Sequence, residues 1–253
     1  MKKLMKRLLN NKGLTLTEMI VALFLTSVIL AIAVGMLAPV KNMMYGMKSN
    51  AHMDTISSTV DEYIRGTLQS AKSLKFVRLD NLNQVSAADR DDVKKFVDPN
   101  NNAKVIAILN TNPDSSEPPI YRLFDLGDFG KDYTQLTNHL TMAQSGTTAD
   151  VIAMKEYAVF NEPFYENTSC AVEFFKSDKS RLQVASQCFR NGEMINQKHV
   201  LSFNLLNGNL TTSEGSEVFS EIEGTGEYTD VSTDQSTIEG HCYLILYTAL
   251  EIV

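Results

Sequence analysis

The stretch from Met19 to Ala38, twenty residues broken only by the mild interruptions Thr26 and Ser27, constrains this chain more than any other feature. At about 1.5 Å per residue, a helix of that length covers the roughly 30 Å hydrocarbon core of a bilayer. Lys2, Lys3, Lys6, Arg7 and Lys12 stand before it, and only the sparser Lys41 and Lys48 follow closely behind. That asymmetry places the head in the cytoplasm and everything after Pro39 outside. The 253 residues leave room for one globular domain beyond the span.

Three readings compete for this head. It is an uncleaved anchor, or a secretory signal cut after the small-x-small triplet Ala31-Ile32-Ala33, or a signal built around Gly13, Leu14 and Glu18. Gly13 closes the basic leader, and Leu14, Thr15, Leu16, Thr17 and Glu18 open the apolar run. This pattern resembles the class III signal of type IV prepilins and type II secretion pseudopilins. The resemblance covers about 25 residues and is specific, because leader length, glycine, acid and apolar run must coincide. It departs from the family in two places, with Leu14 where Phe is commonest and Thr17 where an aliphatic residue is more usual. It implies cleavage by a prepilin peptidase between Gly13 and Leu14, N-methylation of Leu14, and a pilin-like fold. It also implies assembly with other pilin or pseudopilin subunits on a membrane assembly platform driven by a cytoplasmic ATPase.

Glu18 has a physical argument of its own. An unpaired carboxylate in hydrocarbon costs at least a few kcal/mol, so an acid inside a span calls for a partner. Scission after Gly13 would supply one, because the new α-amine, with a reference pKa near ~8, is cationic at neutral pH. Leu14 and Glu18 are spaced i and i+4 and can pair within one helix. The family resemblance implies pairing with a neighbouring subunit's amine, which would set axial register. The plainer alternatives are a carboxylate that snorkels to water or one that faces the positive end of the helix dipole.

Pro39 cannot donate to the carbonyl of Gly35, so a bend or loosening is expected between Gly35 and Pro39. Beyond it, Val40, Met43, Met44, Met47, Ala51, Ile56, Val60, Ile64, Leu68, Ala71 and Leu74 recur at mostly three- or four-residue steps. An amphipathic helix over 39–75 is expected, with Lys48, Asp54, Asp61, Glu62 and Arg65 on a solvated face. Met36, Met43, Met44, Met47 and Met53 give its stripe a soft surface. The stripe suits either a sheet or the other helices of a filament core.

From Phe76 the texture changes to short β-prone runs: KVIAIL at 104, IYRLF at 120, VIAMKEYAVF at 151, CAVEFFKS at 170, RLQVASQCF at 181, HVLSFNLL at 199 and CYLILYTALEIV at 242. Turn signals separate them, and the stretch from Asp125 to Asp150 reads as a loop excursion with a short helix. The expected fold is α+β: a hydrophobic, then amphipathic, N-terminal helix on an antiparallel sheet. The expected organisation is a cleaved leader 1–13, a membrane or filament-core helix 14–38, an amphipathic helix 39–75 and a β-rich extracytoplasmic domain 76–253.

Three cysteines, Cys170, Cys188 and Cys242, allow at most one intramolecular disulfide. If AVEFFK pairs with RLQVASQ in register about Lys179, Cys170 and Cys188 stand opposite each other. Two free buried thiols, or a bond from Cys242 to either one, remain open.

Catalytic patterns find no support. His241 and Cys242 are adjacent, so on a strand they would face opposite ways. Asp125, Asp128 and Asp132 with Gly127 and Gly130 offer oxygen ligands without EF-hand spacing. The acidic stretch from Ser213 to Gly240 reads as a solvated loop. There is no GxSxG, HExxH, GxxxxGKS or CxxC. No cofactor and no metal are expected.

Removing the five leader cations takes the formal charge from −7 to −12, and nine acids with no Lys or Arg follow Lys198. Direct nucleic-acid binding is therefore not expected. The resulting expectation is a structural subunit of a pilus-like filament rather than an enzyme. Its length and irregular β-rich domain, together with a helix from Thr55 to Phe76 similar to that of larger minor pseudopilins, favour a minor pilin or minor pseudopilin. The competing class is a membrane-anchored or secreted adhesin or ligand-binding protein. An extracytoplasmic hydrolase would need a cluster of polar side chains that the sequence does not show.

Overall fold

The computed structural model describes residues 15–97, 102–112, 117–127, 132–145, 147–176, 181–206 and 240–249. The chain divides into two compact units, Met1–Ser49 and Asn50–Val253. In outline it is an α+β chain, one long N-terminal helix followed by antiparallel sheets.

The first element, α1, is a single helix from Leu16 to Leu68, and its helical assignment runs through Pro39. Leu, Ala, Val and Ile dominate its first half, and of these Ala and Leu form helix readily. It stops after Leu68, where the polar pair Gln69-Ser70 turns the chain and the Gln69 N–H returns to the Arg65 carbonyl at 2.8 Å. The helix expected to reach residue 75 is therefore seven residues shorter at its C-terminus. Ala71 and Leu74 belong instead to β1 (Ala71–Leu79). Three-residue spacing between two apolar positions does not separate a helix from an irregular strand, and β1 carries a register shift between Ala71 and Ser73.

The remaining elements are α2 (Arg90–Phe96), β2 (Ala103–Asn110), β3 (Tyr121–Gly127), α3 (Tyr133–Met142), α4 (Thr148–Lys155), α5 (Glu162–Tyr165), β4 (Ser169–Lys176), β5 (Arg181–Arg190), β6 (Glu193–Met194), β7 (His199–Asn204) and β8 (Cys242–Ala249). They build two antiparallel sheets rather than one. The first runs β1-β8-β2-β3, with β8 inserted between two strands from the start of the domain. In the second, β5 pairs with β4 on one side and with both β6 and β7 on the other. Phe174 of β4 joins the sheets by packing against Phe76 of β1 at 4.7 Å and Tyr243 of β8 at 5.1 Å between ring centroids.

Entry into β8 depends on Gly240. Its φ is +71°, and a Cβ there would stand 2.7 Å from the Ala171 Cβ and 2.8 Å from the Tyr121 ring. Only glycine fits that conformation and that approach. The Tyr121 hydroxyl donates to the Gly240 carbonyl at 2.9 Å and fixes the crossing.

One expected strand is a helix. VIAMK lies in α4, whose start is set by Thr147: its hydroxyl accepts the Asp150 N–H and contacts the Asp150 carboxylate at 2.6 Å. This reciprocal cap outweighs the β-propensity of Val151 and Ile152. Of the original run only Ala158 makes a sheet-like bridge, with Phe124.

Candidate functional site

The N-terminal end of α1 is organised around Thr15 and Glu18. The Glu18 carboxylate accepts the Thr15 backbone N–H at 2.8 Å and the Thr15 hydroxyl at 3.0 Å. The Thr15 hydroxyl in turn accepts the Glu18 N–H at 3.3 Å. This is a capping box, in which residues three apart satisfy each other's exposed donors at the start of a helix. It gives a carboxylate at the mouth of an apolar helix local hydrogen bonds. Gly13 and Leu14 lie outside the described residues.

From Leu16 to Met47 the helix presents bare apolar side chains all round, among them Leu23 at 67% and Leu30 at 60% exposure. It is long and apolar enough to cross a membrane. Two hydroxyls inside this stretch turn back on their own helix: Thr26 donates to the Ala22 carbonyl, and Ser27 to that of Phe24 at 2.7 Å. Neither leaves a polar group for lipid to solvate. A Cβ at Gly35 would meet nothing within 4 Å, and Pro39 stands inside the helix.

Within the second unit the helix changes character. Met53, Ile56, Val60, Ile64 and Leu68 are buried, and so are Ser57 and Asp61. Asp61, expected on the solvated face, is fully covered and meets the His199 ring of β7. It shares a face with Ser57 and Ile64, at i+4 and i+3 spacing, so it turns inward with them. Burial pushes its carboxyl up to about 6, against opposing pulls from His199 and Ser186. His199 is itself shifted upward, first by its hydrogen bond to Asp61.

Asn196, between β6 and β7, was not singled out by the sequence. Its side-chain oxygen accepts the Cys188 N–H at 2.8 Å, and its amide donates to Ser57 at 3.1 Å and Asp54 at 3.2 Å. A lone asparagine in a loop gives no signal of such a role; only the packing partner reveals it.

Cys170 and Cys188 are directly paired across β4 and β5, with the register centred on Lys179 as read from the sequence. All three cysteines are buried and unbonded to one another. His241 and Cys242 diverge: the His241 ring meets Arg78 at 2.7 Å, whereas Cys242 is buried and its thiol is pushed up to about 12 by burial. Asp125 accepts from the Tyr63 hydroxyl at 2.8 Å and the Gly127 N–H at 2.9 Å, and Asp132 caps α3 through Thr134 and Gln135. Asp128 and Gly130 lie outside the described residues, as does the acidic stretch up to Glu239.

A cleft of about 360 Å³ opens beside Asn112, Pro118, Arg122, Glu162, Thr168 and Asn191. The Arg122 guanidinium is spent on the fold. It makes a two-pronged pair with Glu162 at 3.0 Å and 3.0 Å, donates to the Tyr121 and Thr168 carbonyls, and stacks 4.2 Å above the Tyr165 ring. The cleft therefore has a buried arginine committed to structure rather than one aimed at a ligand.

Residues 8–34 match the family described as the prokaryotic N-terminal methylation motif. Comparison with curated proteins and with solved structures finds no match. The chain thus carries the class III signal of type IV pilins and pseudopilins, and its N-terminal part is that of a pilin-like precursor. That signal marks a family of structural subunits, which assemble with one another and with the membrane.

Proposed function

We propose that this chain is a minor pilin or pseudopilin, a structural subunit of a type IV pilus-like filament serving motility and adhesion, DNA uptake or protein secretion. A prepilin peptidase cuts between Gly13 and Leu14 and methylates the Leu14 amine. The segment 14–38 holds the subunit in the cytoplasmic membrane, with the β-rich domain on the extracytoplasmic side. A membrane assembly platform then moves it into a cell-surface or periplasm-spanning filament. Gly35 and Pro39 supply the bend at which the helix leaves the bilayer.

The observation that carries this reading is the coincidence of the methylation motif at residues 8–34 with an apolar helix that the chain leaves uncovered. Lipid covers such a surface before assembly, and other subunits' helices cover it afterwards. Glu18 then exchanges its contacts with Thr15 for the α-amine of a neighbouring subunit. A misregistered neighbour would strand both charges, so the pair selects axial position.

Mass spectrometry of the native N-terminus tests the processing step. The expected chain begins at a methylated Leu14. An intact lysine-rich leader would instead make the chain a plain anchored protein, and a start at Val34 a secreted one. For docking, Glu18→Ala should be processed normally yet be lost from purified filaments. Unchanged incorporation of this variant would end the docking role.

A further inference from the structure

We infer that Cys170 and Cys188 close a cross-strand disulfide that staples the β4–β5 hairpin beneath α1. The two residues are directly opposed in the ladder. The kind of opposed pair they form is legible from the far side of β5. There the Cys188 N–H donates to Asn196 Oδ1 at 2.8 Å, and its carbonyl accepts the Ile195 N–H at 3.0 Å. In an antiparallel sheet the N–H and C=O of one residue point the same way, so neither group of Cys188 turns toward β4.

Cys170 and Cys188 are therefore a non-hydrogen-bonded pair, the arrangement whose Cα atoms stand about 4.5 Å apart with side chains closest. That separation falls within the roughly 4.4–6.8 Å that a disulfide spans between Cα atoms. Cys188 lies 3.5 Å from the Ser57 hydroxyl and 3.6 Å from the Met53 carbonyl, so α1 roofs the pair. Cys242 sits in the other sheet, on the strand between β1 and β2.

The chemistry is thiol–disulfide exchange with an oxidant that itself carries a disulfide. One thiolate of the pair attacks that disulfide and releases one oxidant thiol. The second then displaces the mixed bond and releases the other. The pair loses two electrons and two protons, and the oxidant gains both as two thiols. Because both sulfurs are buried, the exchange belongs to folding, before α1 covers β5, and the finished bond is shielded from reductants. The link is a permanent staple rather than a switch.

This inference rests on the extracytoplasmic placement proposed above only for its supply of oxidant. The test is differential alkylation of the full-length chain, before and after reduction, followed by peptide mapping. It is run on protein taken directly from cells and on detergent-solubilised protein refolded with oxidised glutathione. The expected result in both is a chain lighter by two hydrogens, with Cys170 and Cys188 joined and Cys242 alkylated without reduction. Cys242→Ala should keep the link and Cys188→Ala should lose it. A bond to Cys242, or no bond in the refolded protein, overturns the pairing. A bond in the refolded protein alone sustains the pairing and overturns the extracytoplasmic placement.

Discussion

The two halves of α1 solve the same problem in opposite ways. From Leu16 to Met47 the apolar side chains stand bare on every side of the helix, whereas from Met53 to Leu68 an apolar stripe is covered by the chain's own sheets. Buried polar groups mark the covered half: Ser57 and Asp61 find partners on β5, β7 and the segment between β6 and β7, whereas Thr26 and Ser27, like Thr55, Ser58 and Thr59, bond to their own backbone. A helix that leaves its apolar surface open and closes its hydroxyls internally suits lipid or other helices; one that reaches outward with polar groups suits a fixed partner. One continuous element thus leaves its apolar surface open at one end and has it covered by the chain's own sheets at the other.

Substitutions at matched positions should separate the halves most sharply. Ile64→Ala removes a fully buried side chain, and large-to-small changes of this kind cost about 2–5 kcal/mol. Leu25→Ala, at a side chain 54% exposed, should leave the unfolding of the domain unchanged. The sequence has no tryptophan, so circular dichroism of the detergent-solubilised full chain is the measurement of choice. Equal destabilisation by both changes would erase the division. In the opposite direction, Leu25→Arg should cost about 2.5–3.5 kcal/mol of membrane insertion while sparing the domain, as fractionation of membranes against soluble material would report.

A smaller effect is expected at Asn196, which links the second sheet to the covered half of the helix. Asn196→Ala would leave the buried Cys188 N–H without its acceptor. An orphaned buried donor costs about 1–3 kcal/mol. Asn196→Asp keeps an acceptor for that N–H but places a second carboxylate beside Asp54, so it should be destabilised too. A denaturation midpoint unchanged in Asn196→Ala would mean that Asn196 contributes nothing to holding the helix.

The bare half of the helix was legible in the sequence because lipid-facing helices are written in composition, with no fold needed to interpret them. The opposed cysteines were legible too, by reflection about Lys179 in a hairpin. The Thr15–Glu18 cap was missed: Glu18 was expected to meet the Leu14 amine at i to i+4, although the i to i+3 spacing of Thr and Glu at a helix start carries the signal. The end of α1 was not legible, because Ala71 and Leu74 keep the helical step, and only the register shift between Ala71 and Ser73 lets that spacing sit in a strand. Nor was the burial of Asp61. Among Asp54, Asp61 and Glu62, only the position of β7, placed by pairing with β5, decides which carboxylate turns inward. The insertion of β8 between β1 and β2 depends on contacts more than a hundred residues apart, which no local pattern encodes.

The smallest effect is a dependence on pH carried by the covered half. Asp61 is raised to about 6 from 3.8, chiefly by burial, so between those values the folded chain holds a proton that the unfolded chain releases. His199 is raised above 6.5, first by its hydrogen bond to Asp61, with Asp54 and Glu62 adding to the shift, so it too binds its proton more tightly when folded. Both shifts have the same sign: stability is fullest at the acidic end and falls as pH rises through about 6 and onward through the folded pKa of His199. Asp61→Asn removes one titrating group and the hydrogen-bonding carboxylate that raises the other, and should flatten the decline between pH 3.8 and about 6 and the further decline above pH 6.5. Glu62→Gln, at an exposed carboxylate on the same helix, should preserve most of it. A decline that persists undiminished in Asp61→Asn would place its origin elsewhere in the domain, and a His199 titration midpoint at or below 6.5 by NMR would deny the pair its coupling.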